Sequence, residues 1–124
     1  MAAVVIKPIE LKELNEFVKE TNDTDFVAVD ATDGAVFTMR HRDEKYVIGV
    51  KNINSTEGNK TVTIKAGDHI QSAFGDLAFT LAKDEIAWVA IDSGRFKNIS
   101  GDLKGKVHIV GTDANVAVKV IRLP

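Results

Sequence analysis

Apolar and polar residues alternate along most of the chain after residue 46. In TVTIK (61–65), Val62 and Ile64 fall on one face and polar side chains on the other, which is the pattern of a half-buried strand. LAFTLA (77–82) and KVHIV (106–110) repeat this pattern. These three stretches therefore predict strands that have one face in the core and one in water.

Three further runs depart from simple alternation. YVIGV (46–50) and IAWVAI (86–91) are apolar on both faces, which predicts strands at the centre of the fold that are covered on both sides or that abut a partner. We accordingly expect Trp88, like Phe79, to lie in the core. NVAVKVIRL (115–123) alternates and then loses phase, which indicates a bulge or an edge.

Short segments rich in Gly, Asn, Asp and Ser separate the runs, as in NSTEGN (54–59), SGDLKG (100–105) and GTDAN (111–115). Strands recur about every 10 residues, a spacing typical of sandwiches and barrels. The prediction is an all-β fold, an antiparallel two-sheet β-sandwich of the immunoglobulin-like kind with about seven to nine strands. Residues 1–124 form a single domain in this interpretation.

The N-terminal part of the chain has a different pattern. IELKELNEFVKET (9–21) places Leu11, Leu14, Phe17 and Val18 near helical spacing among charged residues. VVIKP before it is typical of a leading strand or an extended arm. The sequence thus allows one short N-terminal helix, with residues 1–20 as an arm or helix attached to the sandwich.

Composition narrows the possible partners and chemistry. The 124 residues are 44% hydrophobic, enough for one core, and the formal net charge of -2 gives no overall attraction to nucleic acid or an acidic membrane. The absence of cysteine excludes disulfides, thiolate nucleophiles and cysteine-bound zinc. Because no apolar run approaches the length of a membrane span, we expect a soluble protein made in the cytoplasm.

The candidate catalytic and metal-binding residues form no recognisable motif. His108 falls on the polar side of its strand and is expected to be solvated, while Asp68 beside His69 is expected to close a turn. The acid-rich stretches NDTD (22–25) and DATDG (30–34) are interpreted as turns and not as a calcium site. The sequence therefore predicts no catalytic residues, no metal site, no cofactor and no enzymatic activity.

Two polar segments are candidates for contact with a partner. RHRDEKY (40–46) carries the densest charge, but its acids interrupt its cations, so it predicts a self-neutralising hairpin and not a phosphate-binding track. In IDSGRFKNISG (91–101), Asp92 can bond the turn backbone, Phe96 can pack back on the sheet and Arg95 can point to solvent or a partner. The candidate contact residues are Arg40, His41, Arg42, Arg95, Phe96 and Lys97.

A family resemblance rests on the order of four segments: RHRDEKYVIGVKN, KTVTIKAG, IAWVAIDSGRFKN and KGKVHIVGTDANVAVKVIRLP. Over residues 38–124 this order is similar to small all-β head decoration proteins of tailed bacteriophages and prophages of Gram-positive bacteria. The resemblance implies a structural protein added in many copies to the outside of the capsid. Its partners would be the major capsid protein and neighbouring copies, with no membrane or nucleic acid bound, and it would be located on the virion surface.

The resemblance supplies no motif of functional residues, so the contacting surface stays open between residues 1–18 and the two polar loops. An alternative function is an immunoglobulin-like binding module that recognises carbohydrate or a cell-surface protein. Sugar binding commonly uses exposed aromatic platforms, and aromatic residues make up only 6% of this chain. A small hydrolase on a β scaffold is disfavoured by the missing catalytic constellation.

Overall fold

The structure, a computed structural model, describes residues 3–19, 26–68 and 73–124. The strands are β1 (Val4–Val5), β2 (Ile9–Glu10), β3 (Val27–Ala28), β4 (Ala35–Thr38), β5 (Tyr46–Asn52), β6 (Lys60–Ile64), β7 (Leu77–Leu81), β8 (Ile86–Val89), β9 (Lys106–Gly111) and β10 (Val116–Arg122). A one-turn helix, α1 (Ser93–Phe96), and 3-10 turns at Asp43–Lys45 and Gly101–Leu103 lie between strands.

The strands form two sheets that pack face to face as a β-sandwich. The first sheet has the order β1-β4-β9-β6-β7, and the second has the order β2-β10-β5-β8 with β3 also beside β10. The predicted all-β, two-sheet fold class is confirmed. Both sheets are mixed and not purely antiparallel, because β1 runs parallel to β4 and β2 runs parallel to β10.

The core fills the space between the sheets, and its residues follow the predicted alternation. Val62, Ile64, Val107 and Ile109 are all buried, while their polar neighbours on β6 and β9 face away. β5 is central, as predicted, since β10 and β8 flank it on both sides. Other large buried side chains come from β4, β5 and β10: Phe37, Ile48, Val50, Val116, Val118 and Val120.

The prediction that IAWVAI lies at the centre of the fold is wrong. Among the described strands β8 pairs only with β5, so it forms an edge of the second sheet. Trp88 is 51% exposed on the outer side of that edge. A strand that is apolar on both faces is covered on both faces only where other parts of the chain pack against each face. Phe79 does pack against the core, as predicted.

The predicted N-terminal helix is also wrong over residues 9–19. Ile9–Glu10 pairs with the end of β10. The first residues of the predicted helix are therefore part of the second sheet. Asn15 has a φ of 65°, a left-handed conformation that a helix cannot contain. A segment this short needs tertiary packing to stay helical, and Leu14 and Phe17 have none. The expected leading strand is present as β1.

Two other features differ from the sequence-based expectation. RHRDEKY does not close a hairpin, because it joins β4 of the first sheet to β5 of the second. β10 keeps an unbroken register with β5 from Val116 to Arg122, so the loss of phase marks neither a bulge nor an edge. The strands β2, β3 and β4 are additional to those predicted.

Candidate binding surfaces

The predicted contact residues gather at one end of the sandwich, which we call the loop end (residues 39–45, 65–68, 73–76 and 92–105). β5 begins there at Tyr46, opposite the last residue of β10, and β9 begins there opposite the last residue of β4. The loops that precede these strands are therefore neighbours. The structure thus brings together two segments that are about 50 positions apart in sequence.

Tyr46 holds the backbone of the basic segment RHR (40–42). Its buried hydroxyl oxygen accepts hydrogen bonds from the N–H groups of Arg40 and His41, at 3.0 and 3.2 Å. The side chains of all three residues in this segment are exposed. Arg42 lies 3.6 Å from Glu44, but both side chains are largely in water, where such a pair contributes little. The segment therefore presents its charge outward on a fixed backbone.

The stretch DSGRF (92–96) forms α1 and is tied to the basic segment. Asp92 caps the helix, with Oδ1 accepting from the Arg95 N–H at 2.7 Å, which confirms the predicted turn-closing role. The carboxylate of Asp43 accepts from the Ser93 N–H at 3.0 Å across the loop end. The two predicted contact loops are thereby linked by a charge-assisted hydrogen bond.

The guanidinium of Arg95 braces a third loop. Nε donates to the carbonyl of Gly75 at 2.8 Å and Nη2 donates to the carbonyl of Asp76 at 3.0 Å. The same group lies 4.8 Å from the centre of the Phe96 ring, within range of a cation–π contact. Arg95 thus positions Gly75 and Asp76, with its Nε and Nη2 engaged by backbone carbonyls within the chain.

The remaining two predicted contact residues, Phe96 and Lys97, differ in their exposure. Phe96 is 3% exposed and belongs to the core cluster, so the expectation that it packs back on the sheet is confirmed. Its assignment as a partner contact is wrong, because a buried ring offers no surface. Lys97 is half-buried and its N–H donates to the Ser93 carbonyl at 3.0 Å. Lys97 therefore lies at the margin of the loop end.

Two carboxylates at the loop end join neighbouring loops. Asp76 accepts from the Ala66 N–H at 2.6 Å and from Lys65 Nζ at 3.1 Å, and these bonds, the Ala66 one foremost, hold its pKa below the usual aspartate value. Asp68 accepts from the Ser100 hydroxyl at 2.5 Å and from the Ile99 N–H, which likewise lowers its pKa. Asp68 was expected to close a local turn, but its side chain instead bonds to a neighbouring loop.

An open recess of 580 Å³ lies between these loops, lined by Asp43, Phe74 and residues 92–95. The ring of Phe74 is exposed beside it. Sequence reasoning missed Phe74 as a member of this surface, whereas Asp43 belongs to the predicted contact segment RHRDEKY. Phe74 lies in the turn segment FGD, where an aromatic beside Gly–Asp was the available signal.

A second candidate surface is the N-terminal segment, residues 11–19. It leaves the sandwich beside the loop end, where the Leu11 N–H donates to the carbonyl of Arg122 at 2.8 Å. Beyond that bond, Leu14 is 78% exposed and Phe17 is 80% exposed. Val18 lies against a recess of 440 Å³ along the edge of β10. Large apolar side chains with this exposure on a single segment are typical of a binding site.

A third candidate surface lies on the outer face of the second sheet. The Trp88 ring lies over Gly49 of β5, where an added Cβ would come within 2.6 Å of the ring. Phe26 lies 6.1 Å away, between ring centres, and the Nζ of Lys119 lies 4.7 Å from the Phe26 ring centre. The result is an aromatic platform with a lysine beneath it.

The histidines do not form a catalytic group in the described chain. His41 is exposed at the loop end, 6.3 Å from the Tyr46 ring, and His69 lies outside the described residues. Nε2 of His108 lies 2.6 Å from the carbonyl oxygen of Asp33. His108 is therefore half-buried and hydrogen-bonded, which differs from the fully solvated position expected.

The acid-rich turns behave as the sequence suggests where they are described. Oδ2 of Asp30 accepts from the N–H groups of Thr32 and Asp33, at 3.1 and 2.8 Å, so its carboxylate closes a turn. NDTD (22–25) lies outside the described residues. Within residues 3–19, 26–68 and 73–124, no three His, Asp or Glu residues are placed to hold a metal ion together.

Comparison of the chain with protein-family models, with curated proteins and with solved structures gave no match. In the part of the chain that the structure describes, no helix has the length and apolar character needed to cross a membrane.

Proposed function

We propose that this chain is a non-enzymatic structural protein of a bacteriophage virion that binds the outside of the capsid in many copies. The observation that carries the proposal is the exposure of Leu14 and Phe17 on the N-terminal segment, outside a sandwich whose own core is closed. Water-exposed leucine and phenylalanine side chains gain free energy when a partner covers them. The resemblance of the segment order to that of head decoration proteins suggests the capsid as the partner.

The second contribution comes from the loop end. Arg40 and Arg42 project from a backbone held by Tyr46, and residue 11 leaves the sandwich next to the same strand end. A single partner surface could therefore touch the apolar segment and the exposed cations together. Bonds between loops fix the shape of the loop end before binding, which reduces the entropy lost on docking.

The expected affinity per copy is moderate. Complete burial of Leu14 and Phe17 is worth about 1.5–3 kcal/mol for each side chain, and part of this is offset by ordering the segment. Because a capsid presents many identical sites close together, moderate contacts still give dense occupancy. Protein that binds the assembled shell and not its dissociated subunits stabilises the shell by linkage.

The test is co-sedimentation of the purified protein with expanded, undecorated capsids from the phage that encodes it, counting copies per capsid. Saturation at a number that matches the capsid lattice supports decoration. If the folded protein does not bind at about 100 µM, the proposal is overturned. A dissociation constant above that concentration is too weak to fill even a dense lattice of sites.

Variants identify the surface in the same assay. We expect Leu14→Ser with Phe17→Ser to weaken binding about 10- to 100-fold, which corresponds to partial burial of both side chains. Ile53→Ser is the matched control, because Ile53 is also exposed but follows β5 at the end of the sandwich opposite the loop end. Unchanged occupancy in the double variant refutes the role of the N-terminal segment. Charge reversal at Arg40 and Arg42 tests the loop end, with Lys83→Glu at the opposite end as its control.

A second candidate function, recognition of carbohydrate, is favoured by the aromatic platform. Trp88 is half-exposed and packs against Gly49, which leaves part of the ring accessible to a sugar. Trp88 is the sole tryptophan of the chain, which makes its emission a direct reporter. A saturable change in emission with cell-wall polysaccharide that is absent with dextran supports this function. No change at several mg/ml of polysaccharide removes it.

A further inference from the structure

The free edge of β8 is a feature that the proposed capsid binding does not use. β8 pairs on one side with β5, and none of the described strands pairs with its other side. The Asn52 N–H donates to the carbonyl of Glu85, so alternation along an antiparallel pair turns the backbone groups of Ala87 and Val89 toward β5. The N–H and C=O groups of Ile86 and Trp88 consequently point away from the sheet.

β8 lacks the charged side chains, the proline and the bulge that commonly protect an edge strand. Its sequence, IAWV, contains no charged residue and no proline, and its register with β5 is unbroken. The edges formed by β1, β2 and β3 are only two residues long, and Pro8 precedes β2. β7 is the other long edge, but its outward side chains are Ala78 and Thr80. Val5 on β1 and Val27 on β3 are also exposed, but β8 alone among the described edges of four or more residues joins free backbone to large exposed side chains.

The side chains of β8 fit a second copy of the same strand. In an antiparallel pair, directly opposite residues share a face, so a twofold axis through Ala87 places Ile86 of one copy opposite Trp88 of the other. Because of the twofold axis, the Ile86–Trp88 pair occurs twice across the seam between the copies. Each pair places an isoleucine against a tryptophan on the outer face. The register also brings the outward backbone groups of Ile86 and Trp88 together as hydrogen-bonded pairs.

Charge also favours the antiparallel arrangement. Asp84 and Glu85 precede β8, and the twofold register places Glu85 opposite Val89 of the second copy. The two Glu85 residues are then about 14 Å apart at 3.4 Å per residue, beyond the screening length at physiological salt. Parallel pairing would place these acids side by side. Charge repulsion therefore disfavours parallel pairing of two β8 strands and leaves antiparallel pairing possible.

We propose that two copies of this chain associate through β8, antiparallel about a twofold axis at Ala87, to form one continuous sheet from the second sheet of each. The proposal does not depend on which partner or ligand the protein binds. The seam is only four residues long, so association is weak and becomes evident at high concentration, as in any dense array of copies.

Sedimentation velocity between about 1 µM and 1 mM is the first test, a range that covers weak to moderate dimers. We expect the sedimentation coefficient to rise with concentration and the Trp88 emission to shift to the blue over the same range. Ile86→Glu should abolish both changes, because it places a carboxylate against the partner's strand. Thr80→Glu is the matched control on β7 and should behave as the unmodified chain does.

Cross-linking tests the register independently of affinity. The chain has no cysteine, so a single introduced thiol reports one position. Ala87→Cys should form an intermolecular disulfide, because residues on the axis of a non-hydrogen-bonded pair have Cα atoms about 4.5 Å apart, within disulfide range. Ile86→Cys faces Trp88 of the partner and should cross-link at least 10-fold more slowly, as should Ala78→Cys on β7.

Three results would overturn the proposal. One is a chain that remains monomeric at 1 mM and whose Ala87→Cys variant forms no dimer. Another is equal loss of association in Ile86→Glu and Thr80→Glu, which would place the contact elsewhere. The third is cross-linking of Ala78→Cys or Ile86→Cys as fast as Ala87→Cys, which would show non-specific collision.

Discussion

Replacement of Gly34 by alanine should destabilise the protein far more than the same change at Gly105. Both glycines have positive φ, 71° and 79°, so an L-residue is strained to a similar extent at either position. The surroundings differ. A Cβ at Gly34 would lie 2.2 Å from the carbonyl oxygen of Ile109 and 2.8 Å from Cγ1 of Val110, whereas at Gly105 it would meet nothing within 4 Å.

The magnitudes follow from these distances. The left-handed conformation costs about 1–2 kcal/mol at each site, partly offset because alanine also restricts the unfolded chain. At Gly34 the contact is with backbone of β9, which cannot rotate away as a side chain can, and overpacking of this kind adds about 1–3 kcal/mol. We therefore expect losses of about 1 kcal/mol for Gly105→Ala and about 2–4 kcal/mol for Gly34→Ala.

Urea unfolding followed by the emission of Trp88 measures both losses, with far-ultraviolet circular dichroism as a second probe. The slope of free energy against urea should be the same in the two variants, since both expose the same surface on unfolding. Losses that agree within about 0.5 kcal/mol would refute the reasoning, because they would show that β9 does not approach Gly34 as closely as the structure places it.

Two further predictions concern buried and interloop polar groups. Asn52 is completely buried; its side chain donates to the carbonyls of Gly58 and Leu81 at 2.9 and 3.0 Å and accepts from the Asn54 N–H at 3.0 Å. Asn52→Asp places a carboxylate against these two carbonyls. We expect it to lower the free energy of unfolding in urea by about 3 kcal/mol at pH 7, and by less at pH 4. The pKa of Asp76 is lowered by its bonds to Ala66 and Lys65, so the folded state is favoured above the unfolded-state pKa and that stability is lost as pH falls through the folded value. Thermal melts of Asp76→Asn should therefore decline less steeply below about pH 4 than those of the unmodified chain, and parallel declines would contradict the assignment.

Strands with one wet face could be predicted from the sequence because alternation reports burial directly. Val62, Ile64, Val107 and Ile109 all lie where the pattern placed them. The same reasoning failed for IAWVAI and for residues 9–19, since an apolar stripe shows that a side chain favours burial but not what buries it. In β8 the missing element is a second neighbouring strand, and in residues 9–19 it is any packed surface for a helix.

The candidate surfaces could be predicted only in part, for a related reason. Arg40, Arg42 and Asp92 were identified from local sequence, and their positions follow from local structure. The link from Asp43 to Ser93 and the brace from Arg95 to residues 75–76 join segments distant in sequence, and single-sequence patterns carry no information on such pairs. Phe96 was misassigned because a corner residue and a core residue can share the same local motif.

Salt concentration separates the contributions of the two proposed capsid-binding surfaces without any substitution. Contacts made by the exposed cations at the loop end weaken as the screening length falls from about 8 Å at physiological ionic strength to about 3 Å at 1 M. Contacts made by Leu14 and Phe17 are apolar and do not weaken by screening. Hydrogen bonds lower the pKa values of the Asp68 and Asp76 carboxylates, which favours their charged forms and the bonds between loops at neutral pH. A decline in occupancy with salt at neutral pH therefore measures the loop end itself, and the occupancy that persists at 1 M salt measures the N-terminal segment.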